Sequence, residues 1–352
     1  MPFKTEIKVT NKQISSIFSF HFPDEKIFSI KDKVESFVNP VFEVHLEDNT
    51  KYILKINNPQ WSLKQRRELN AMEIVRENSQ IPIPQVIGFN YSKTIIPYDY
   101  SIFEKIDGIE LRELETKKQL HQNEYLSIIE ELGYYVGLLH SISFDFFGDL
   151  LGSKMQTNFK PNEKLNYFWG KKFSSWKSCF KAICFDNLNW VDSKSFEKYR
   201  IKIIPKIDEL AEKICLPFEA CFIHSDIQPS NILIKDNKIT SILDFEWAYA
   251  GSPSFEYELI LAGLYLSNFP SVDKNSLLQS FPTTPNEDIE SKFFSGYKKS
   301  FPHNIQREKE NISDFIYLLY MIGSWDWTIK TSTPEEIEKY KLSIKETFER
   351  IF

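Results

Sequence analysis

A chain of 352 residues with 42% hydrophobic content and only 11 glycines is globular and longer than one compact core usually allows, so two lobes are expected and a disordered or fibrous chain is excluded. Its formal charge of −6 without a Lys/Arg cluster argues against nucleic acid as the main partner and suits a cationic small molecule better. The first residues carry charges where a secretory leader needs an apolar stretch, and the longest apolar runs, near Leu259 to Leu266 and Phe315 to Ile322, are too short to cross a bilayer, so a cytoplasmic protein with no membrane partner is expected.

From Val41 to Leu46 and from Lys51 to Ile56, alternating runs flank Glu-Asp-Asn-Thr and predict a β-hairpin whose second strand carries Lys55 near its end. A helix is expected from about Leu63 to Glu77. Ile81-Pro82-Ile83-Pro84 breaks it and leads into strands at Gln85 to Phe89 and Tyr100 to Lys105. Beyond Gly108 helices dominate: Tyr125, Ile128, Ile129, Leu132, Val136 and Leu139 recur at helical spacing and define one buried face. Thr333-Pro334-Glu335-Glu336 reads as a capping box with proline at the first helical position. It starts a last helix with Ile337, Tyr340, Ile344 and Phe348 on one stripe. Cys179, Cys184, Cys215 and Cys221 show neither Cys-x-x-Cys pairing nor zinc-site spacing and are expected to be reduced.

The most informative stretch runs from His224 to Asp244. Asp226 and Asn231, five residues apart, precede two short apolar runs, Ile232 to Ile234 and Ile239 to Leu243, joined by Lys-Asp-Asn-Lys. This predicts a hairpin that returns Asp244 beside Asn231. A carboxylate and a carboxamide oxygen so paired suit a hard divalent cation such as Mg²⁺, which leaves Asp226 to orient and deprotonate a hydroxyl. Phosphoryl transfer from a nucleotide needs that division of labour. His224 is expected to support the loop.

The segment resembles the catalytic loop and metal-binding Asp of the protein-kinase-like fold, and in particular the aminoglycoside phosphotransferase and choline kinase-like family. There the loop reads roughly His-Gly-Asp-x-x-x-x-Asn and the hairpin ends as Ile242-Leu243-Asp244-Phe245-Glu246 does here. The resemblance implies an α+β, two-lobed fold with a nucleotide-binding lobe over residues 1–105 and a helical lobe with the catalytic loop and acceptor site over 106–352. It further implies Asp226 as catalytic base, Asn231 and Asp244 as Mg²⁺ ligands, and ATP or GTP as donor. Lys55 matches the lysine that holds the nucleotide phosphates. Arg66-Arg67-Glu68, with Ile81-Pro-Ile-Pro downstream, is similar to the family's Arg-x-Glu and Pro-x-Pro pattern, so Glu68 is the expected partner of Lys55. The phosphate-covering turn would lie near Glu35-Ser36-Phe37-Val38-Asn39, where no glycine occurs; a Cβ there limits how closely backbone approaches a phosphate. Phe103-Glu104-Lys105-Ile106 fits the hinge that holds the purine edge.

Ser225 in place of arginine, Phe245-Glu246 in place of Phe-Gly, and Gly251-Ser252-Pro253-Ser254-Phe255-Glu256 soon after all point away from protein kinases and toward a small-molecule acceptor. Candidates for binding a cationic acceptor are Trp325, Asp326 and Trp327, then Asp186, with Glu256 near the loop. An aminoglycoside-like acceptor leads; a metabolic kinase of choline, a sugar or an amino alcohol, and an inactive nucleotide-binding scaffold, remain as alternatives. Monomer and dimer stay open.

Overall fold

In a computed structural model the described residues are 7–33, 39–59, 62–117, 119–151, 168–189, 196–213, 219–265, 286–302, 312–323, 325, 328–329 and 332–352. The chain opens with α1 (Asn11–His21), a helix that the hydropathy pattern did not announce. A capping box starts it, with Thr10 accepting from the Gln13 N–H and Gln13 reaching back to the Thr10 N–H. Its Ile14, Ile17 and Phe18 are buried against the first sheet. That sheet is antiparallel: β1 (Ile27–Lys33), β2 (Val41–Leu46), β3 (Lys51–Ile56), β4 (Val86–Asn90) and β5 (Tyr100–Glu104), ordered β1-β2-β3-β5-β4. The β2–β3 hairpin has the expected bounds. Asn49 turns it at φ 71°, a conformation asparagine tolerates, and Asp48 accepts from the Thr50 N–H at 2.8 Å.

Between β3 and β4 runs α2 (Ser62–Asn78). Leu69, Ala71, Met72 and Val75 bury its apolar side, yet Lys64, Gln65, Arg67 and Glu68 are also buried. A helix that buries charges on one face and apolar groups on the other is placed between a core and a polar site, which explains its weak amphipathic pattern. Leu69 and Met72 share one core with Phe103 of β5 and with Phe222, Ile232 and Phe245 from later in the chain.

The rest is mainly helical, with β6 (Ile109–Glu110), α3 (Leu111–Thr116), α4 (Gln122–His140), β7 (Ser143–Phe144), β8 (Phe147–Asp149), β9 (Lys172–Phe173), α5 (Trp176–Asn189), α6 (Glu197–Lys213) and β10 (Ala220–Ile223). After these come β11 (Ile232–Lys235), β12 (Lys238–Ile242), β13 (Tyr249–Gly251), α7 (Pro253–Tyr265), α8 (Asn286–Ser300), α9 (Ile312–Gly323) and α10 (Pro334–Ile351). All six α4 residues predicted for one face are buried. On its other side α4 meets α8 with almost no gap: a Cβ on Gly296 would lie 1.7 Å from the Glu130 carbonyl oxygen, so only glycine fits. Thr333 caps α10 as predicted, and Tyr340 and Ile344 are buried beneath it. Cys179, Cys184 and Cys221 are free and buried; Cys215 lies outside the described residues. Among the described residues no helix is long and apolar enough to cross a membrane.

A buried ion pair joins α2 to β8. Arg67 forks onto Asp149, Nε to Oδ1 at 2.7 Å and Nη2 to Oδ2 at 2.8 Å, and its Nη1 donates to the Glu246 carbonyl at 2.8 Å. Asp149 also accepts from the N–H groups of Leu151 and Gly170, so the pair is fully satisfied. Arg67→Met should leave that carboxylate buried without its cation and destabilise the protein by about 3–5 kcal/mol. Denaturant unfolding measures this; a change under 1 kcal/mol would show that the clasp adds nothing.

Candidate active site

The loop between β10 and β11 is fixed from three directions. His224 is buried, with Nε2 donating to the Leu243 carbonyl at 3.0 Å and Nδ1 accepting the Asp226 N–H at 3.2 Å. Those two roles define one neutral tautomer, in keeping with burial, which lowers its pKa. Ser225 sits at φ 67°, in the left-handed region, where a side chain is costly. Its N–H is held by Glu256 Oε1 at the start of α7, while Glu256 Oε2 meets His140 Nε2 at 2.8 Å and His140 Nδ1 meets the Tyr297 hydroxyl at 2.7 Å. The strained turn is thus anchored through a buried chain to α4 and α8.

Asp226 lies at the head of this loop. Asn231, on a short 3₁₀ turn from Pro229 to Asn231, donates from Nδ2 to the Asp226 carbonyl at 2.8 Å and to Oδ2 at 2.9 Å. Gln228 donates to Oδ1 at 3.0 Å. The β11–β12 hairpin then brings the chain back: the Leu243 N–H donates to the Asn231 carbonyl at 2.9 Å, and Asp244 follows at φ 64°.

Lys55 of β3 joins the lobes at this point. Its Nζ contacts Glu68 Oε1 and Oε2 at 3.1 and 3.0 Å, Asp244 Oδ1 at 3.1 Å and Glu246 Oε2 at 3.1 Å. Burial alone would lower the lysine's pKa, but Asp244, Glu246 and Glu68 together raise it well above the ordinary value. Burial raises Glu68, although Lys55 opposes the change, whereas Lys55 and Lys64 outweigh burial and lower Glu246. Of these two glutamates, Glu68 is therefore the one that takes a proton first. Burial, then the charges of Asp244 and Glu246, push Asp226 up to about 8.

Ligand oxygens of Glu68, Asp244 and Glu246 all lie within 4.8 Å of one another. These oxygens already share the Lys55 ammonium; Asp244, the most exposed of the three, is the one with a hard oxygen of the kind a divalent cation selects on its solvent side.

The other sequence candidates are distributed unevenly. Asn39 is buried, with Nδ2 3.4 Å from Glu246 Oε2 and Oδ1 accepting from the Asn58 N–H. Ser36, Asp326 and Trp327 lie outside the described residues. Of the residues expected at the hinge, Glu104 donates its N–H to the Gln85 carbonyl and Lys105 to the Lys51 carbonyl, Phe103 is core, and the Ile106 carbonyl accepts from Lys105 Nζ at 2.8 Å. Three acceptor candidates turn inward instead of forming an open cation site. Asp186 accepts from the Phe168 N–H, Glu256 has both oxygens engaged in the chain above, and Trp325 packs 6% exposed between Phe196 and Tyr340.

Other residues of the site carried little signal in the sequence. Glu246 stands in the recognised motif, but its bond to Lys64 Nζ at 2.9 Å does not follow from it. Lys64 and Arg67 look like solvated helix charges, yet Lys64 lies 3.4 Å above the Trp247 ring and Arg67 4.0 Å above Trp169. The usable clue is spacing, since Lys64 and Glu68 are i and i+4 on one helix face.

Comparison with known proteins places this geometry in context. The family described as phosphotransferase enzyme family matches residues 34–281. No curated protein sequence matches. A putative aminoglycoside phosphotransferase from Ralstonia eutropha JMP134 is similar in structure at TM-score 0.64 and 13% identity, covering 98% of this chain and 100% of that one. A putative fructosamine-3-kinase from Haemophilus somnus 129PT aligns at TM-score 0.61 and 16% identity, over 97% of both chains. A thermostable mutant of the aminoglycoside phosphotransferase APH(4)-Ia, in a ternary complex with AMP-PNP and hygromycin B, aligns at TM-score 0.61 and 13% identity, over 96% of this chain and 98% of that one. The fold is protein-kinase-like.

The raised Asp226 has a measurable consequence. Between the ordinary carboxylate pKa of about 4 and the folded value of about 8, the native state binds one more proton than the unfolded chain. Stability from this group therefore falls as pH rises through that window and is flat above it. Metal-free Asp226→Asn should gain thermal stability relative to wild type progressively from pH 5 to pH 8. A Tm difference that does not vary across that range would remove Asp226 as the raised carboxylate.

Proposed function

The chain belongs to the phosphotransferase enzyme family, and from this premise we propose that it moves the γ-phosphate of ATP or GTP, with Mg²⁺, onto a hydroxyl of a small cationic molecule. One observation carries the reading: Lys55 reaches from the N-terminal sheet to Asp244, 189 residues away, beside the Asp226–Asn231 pair. A phosphate-holding cation, a hydroxyl-directed carboxylate and hard-oxygen donors are the parts that phosphoryl transfer requires. Residues 1–105 supply the nucleotide side and residues 106–352 the catalytic loop and acceptor side.

Asp244 and the carboxamide oxygen of Asn231 would hold the metal, which supplies charge neutralisation on the phosphates. Lys55 would contact phosphate oxygens, and Glu68 fixes its ammonium through both oxygens. Asp226, oriented by Asn231 and Gln228, would align the acceptor hydroxyl and take its proton. Its high pKa in the metal-free protein falls in the range a general base needs near neutral pH. Ser225 lacks the charge that would receive an activation-loop phosphate, and Glu256 ties the loop to the helices without any modification. Both features favour a site formed in advance for a small acceptor.

Similar structures include one with AMP-PNP and hygromycin B bound and one described as a macrolide 2′-phosphotransferase. Aminoglycosides and macrolides therefore lead the acceptor panel, followed by fructosamines, choline, sugars and amino alcohols. ADP release measured with ATP and with GTP should rise with one acceptor class and require Mg²⁺. Asp226→Asn should cut turnover about 10²–10⁴-fold with nucleotide affinity nearly unchanged. Nucleotide binding without transfer to any acceptor would instead favour an inactive scaffold, the reading to which the glycine-free stretch 35–39 leads.

A further inference from the structure

Lys64 is a lysine in an expensive place. It is 6% exposed in the first turns of α2, its ammonium 2.9 Å from Glu246 Oε1 and 3.4 Å from the Trp247 ring centroid. The other oxygen of Glu246 accepts from Lys55 at 3.1 Å. One carboxylate therefore bridges two ammonium groups, and the second ammonium lies beside the oxygens of Glu68, Asp244 and Glu246 that cluster within 4.8 Å. A lysine needed only to neutralise the protein's exterior would not be buried here.

Two further observations tie this ammonium to the phosphate position. Asn39 is the first described residue after the stretch expected to cover the phosphates, and its Nδ2 lies 3.4 Å from Glu246. Asn39 thus lies beside the carboxylate that holds Lys64. The sequence has no glycine over residues 34–39, and a Cβ limits how closely a backbone amide approaches a phosphate. A polyanion entering beside three carboxylates and Asp226 also meets repulsion that Lys55 alone offsets poorly.

We propose that Lys64 is a second polyphosphate-binding cation, which exchanges Glu246 for the phosphate oxygens of the bound nucleotide and does part of the work of a glycine-rich turn. This rests on the nucleotide-dependent reading above and extends it to a residue on α2. Lys55 and Lys64 then grip the phosphates from β3 and from α2, with Glu246 holding both ammonium groups in place until the phosphates arrive.

Calorimetric binding of MgATP, inorganic tripolyphosphate and adenosine separates the possibilities. Lys64→Met should weaken MgATP and tripolyphosphate about tenfold, the loss of one charge-assisted contact, and leave adenosine unchanged, while Lys64→Arg keeps most of the affinity. Glu246→Gln should tighten tripolyphosphate binding without metal, and that gain should disappear in Glu246→Gln/Lys64→Met. The double variant lacks an unpaired charge at this position, so it keeps the test available if Lys64→Met does not fold. Tripolyphosphate affinity within twofold of the parent in both backgrounds overturns the proposal and leaves Lys64 an internal ion pair, with the kinase reading intact. Wild type that binds neither MgATP nor tripolyphosphate overturns both.

Discussion

One buried ammonium organises the molecule. Lys55 stands in a strand of the N-terminal sheet, and the carboxylates around it come from α2 and from the turn after β12. Three like charges this close repel strongly wherever water is sparse, and a cation among them is what lets them share the space. The same contact fixes lobe closure, because Lys55 can reach Asp244 and Glu246 only when the sheet sits over the loop. Burial raises the pKa of Glu68 although Lys55 opposes it, whereas Lys55 and Lys64 together outweigh burial and lower that of Glu246.

The neighbouring pairs on α2 hold the helix itself in place. Arg67 holds β8 and the Glu246 carbonyl from the residue beside Glu68, and Lys64 holds the Glu246 side chain one turn earlier. Trp247 and Trp169, 5.4 Å apart, fill the space between these two cations. Leu69 and Met72 enter the same core as strands β10 and β11, which flank Asp226. Swinging α2 outward would break a forked ion pair, a second ion pair and an apolar contact together. Such a helix is locked in the position that keeps Glu68 on Lys55.

Much of this was legible in the sequence wherever local chemistry decides. The β2–β3 hairpin, the buried face of α4 and the cap of α10 follow from alternation, helical spacing and capping residues, and the Asp226 to Asp244 segment carries a spacing that the β11–β12 hairpin explains. What stayed hidden depends on partners far along the chain. Arg67 meets Asp149 82 residues away and His140 meets Glu256 116 residues away, distances over which no periodicity links the two. Helix α1 was missed because its buried set is only Ile14, Ile17 and Phe18. Trp325 drew attention as a cation-binding aromatic, but a tryptophan beside Phe196 and Tyr340 gains more from burial than from solvent.

The two left-handed residues of the candidate site, Ser225 and Asp244, bracket the segment that carries Asp226 and Asn231, at φ 67° and 64°. Neither is glycine, so each costs the fold about 1 kcal/mol or more, and each is held by a specific contact. Glu256 binds the Ser225 N–H, and Lys55 binds the Asp244 carboxylate. The first restraint comes from the helical lobe and the second from the N-terminal sheet, so the two ends of the segment are pinned by different halves of the protein. A loop held this way keeps Asp226 and Asp244 at a fixed separation only while the halves stay closed. Closure of the lobes and the relative placement of Asp226 and Asp244 are then a single structural event, with Lys55 as its link.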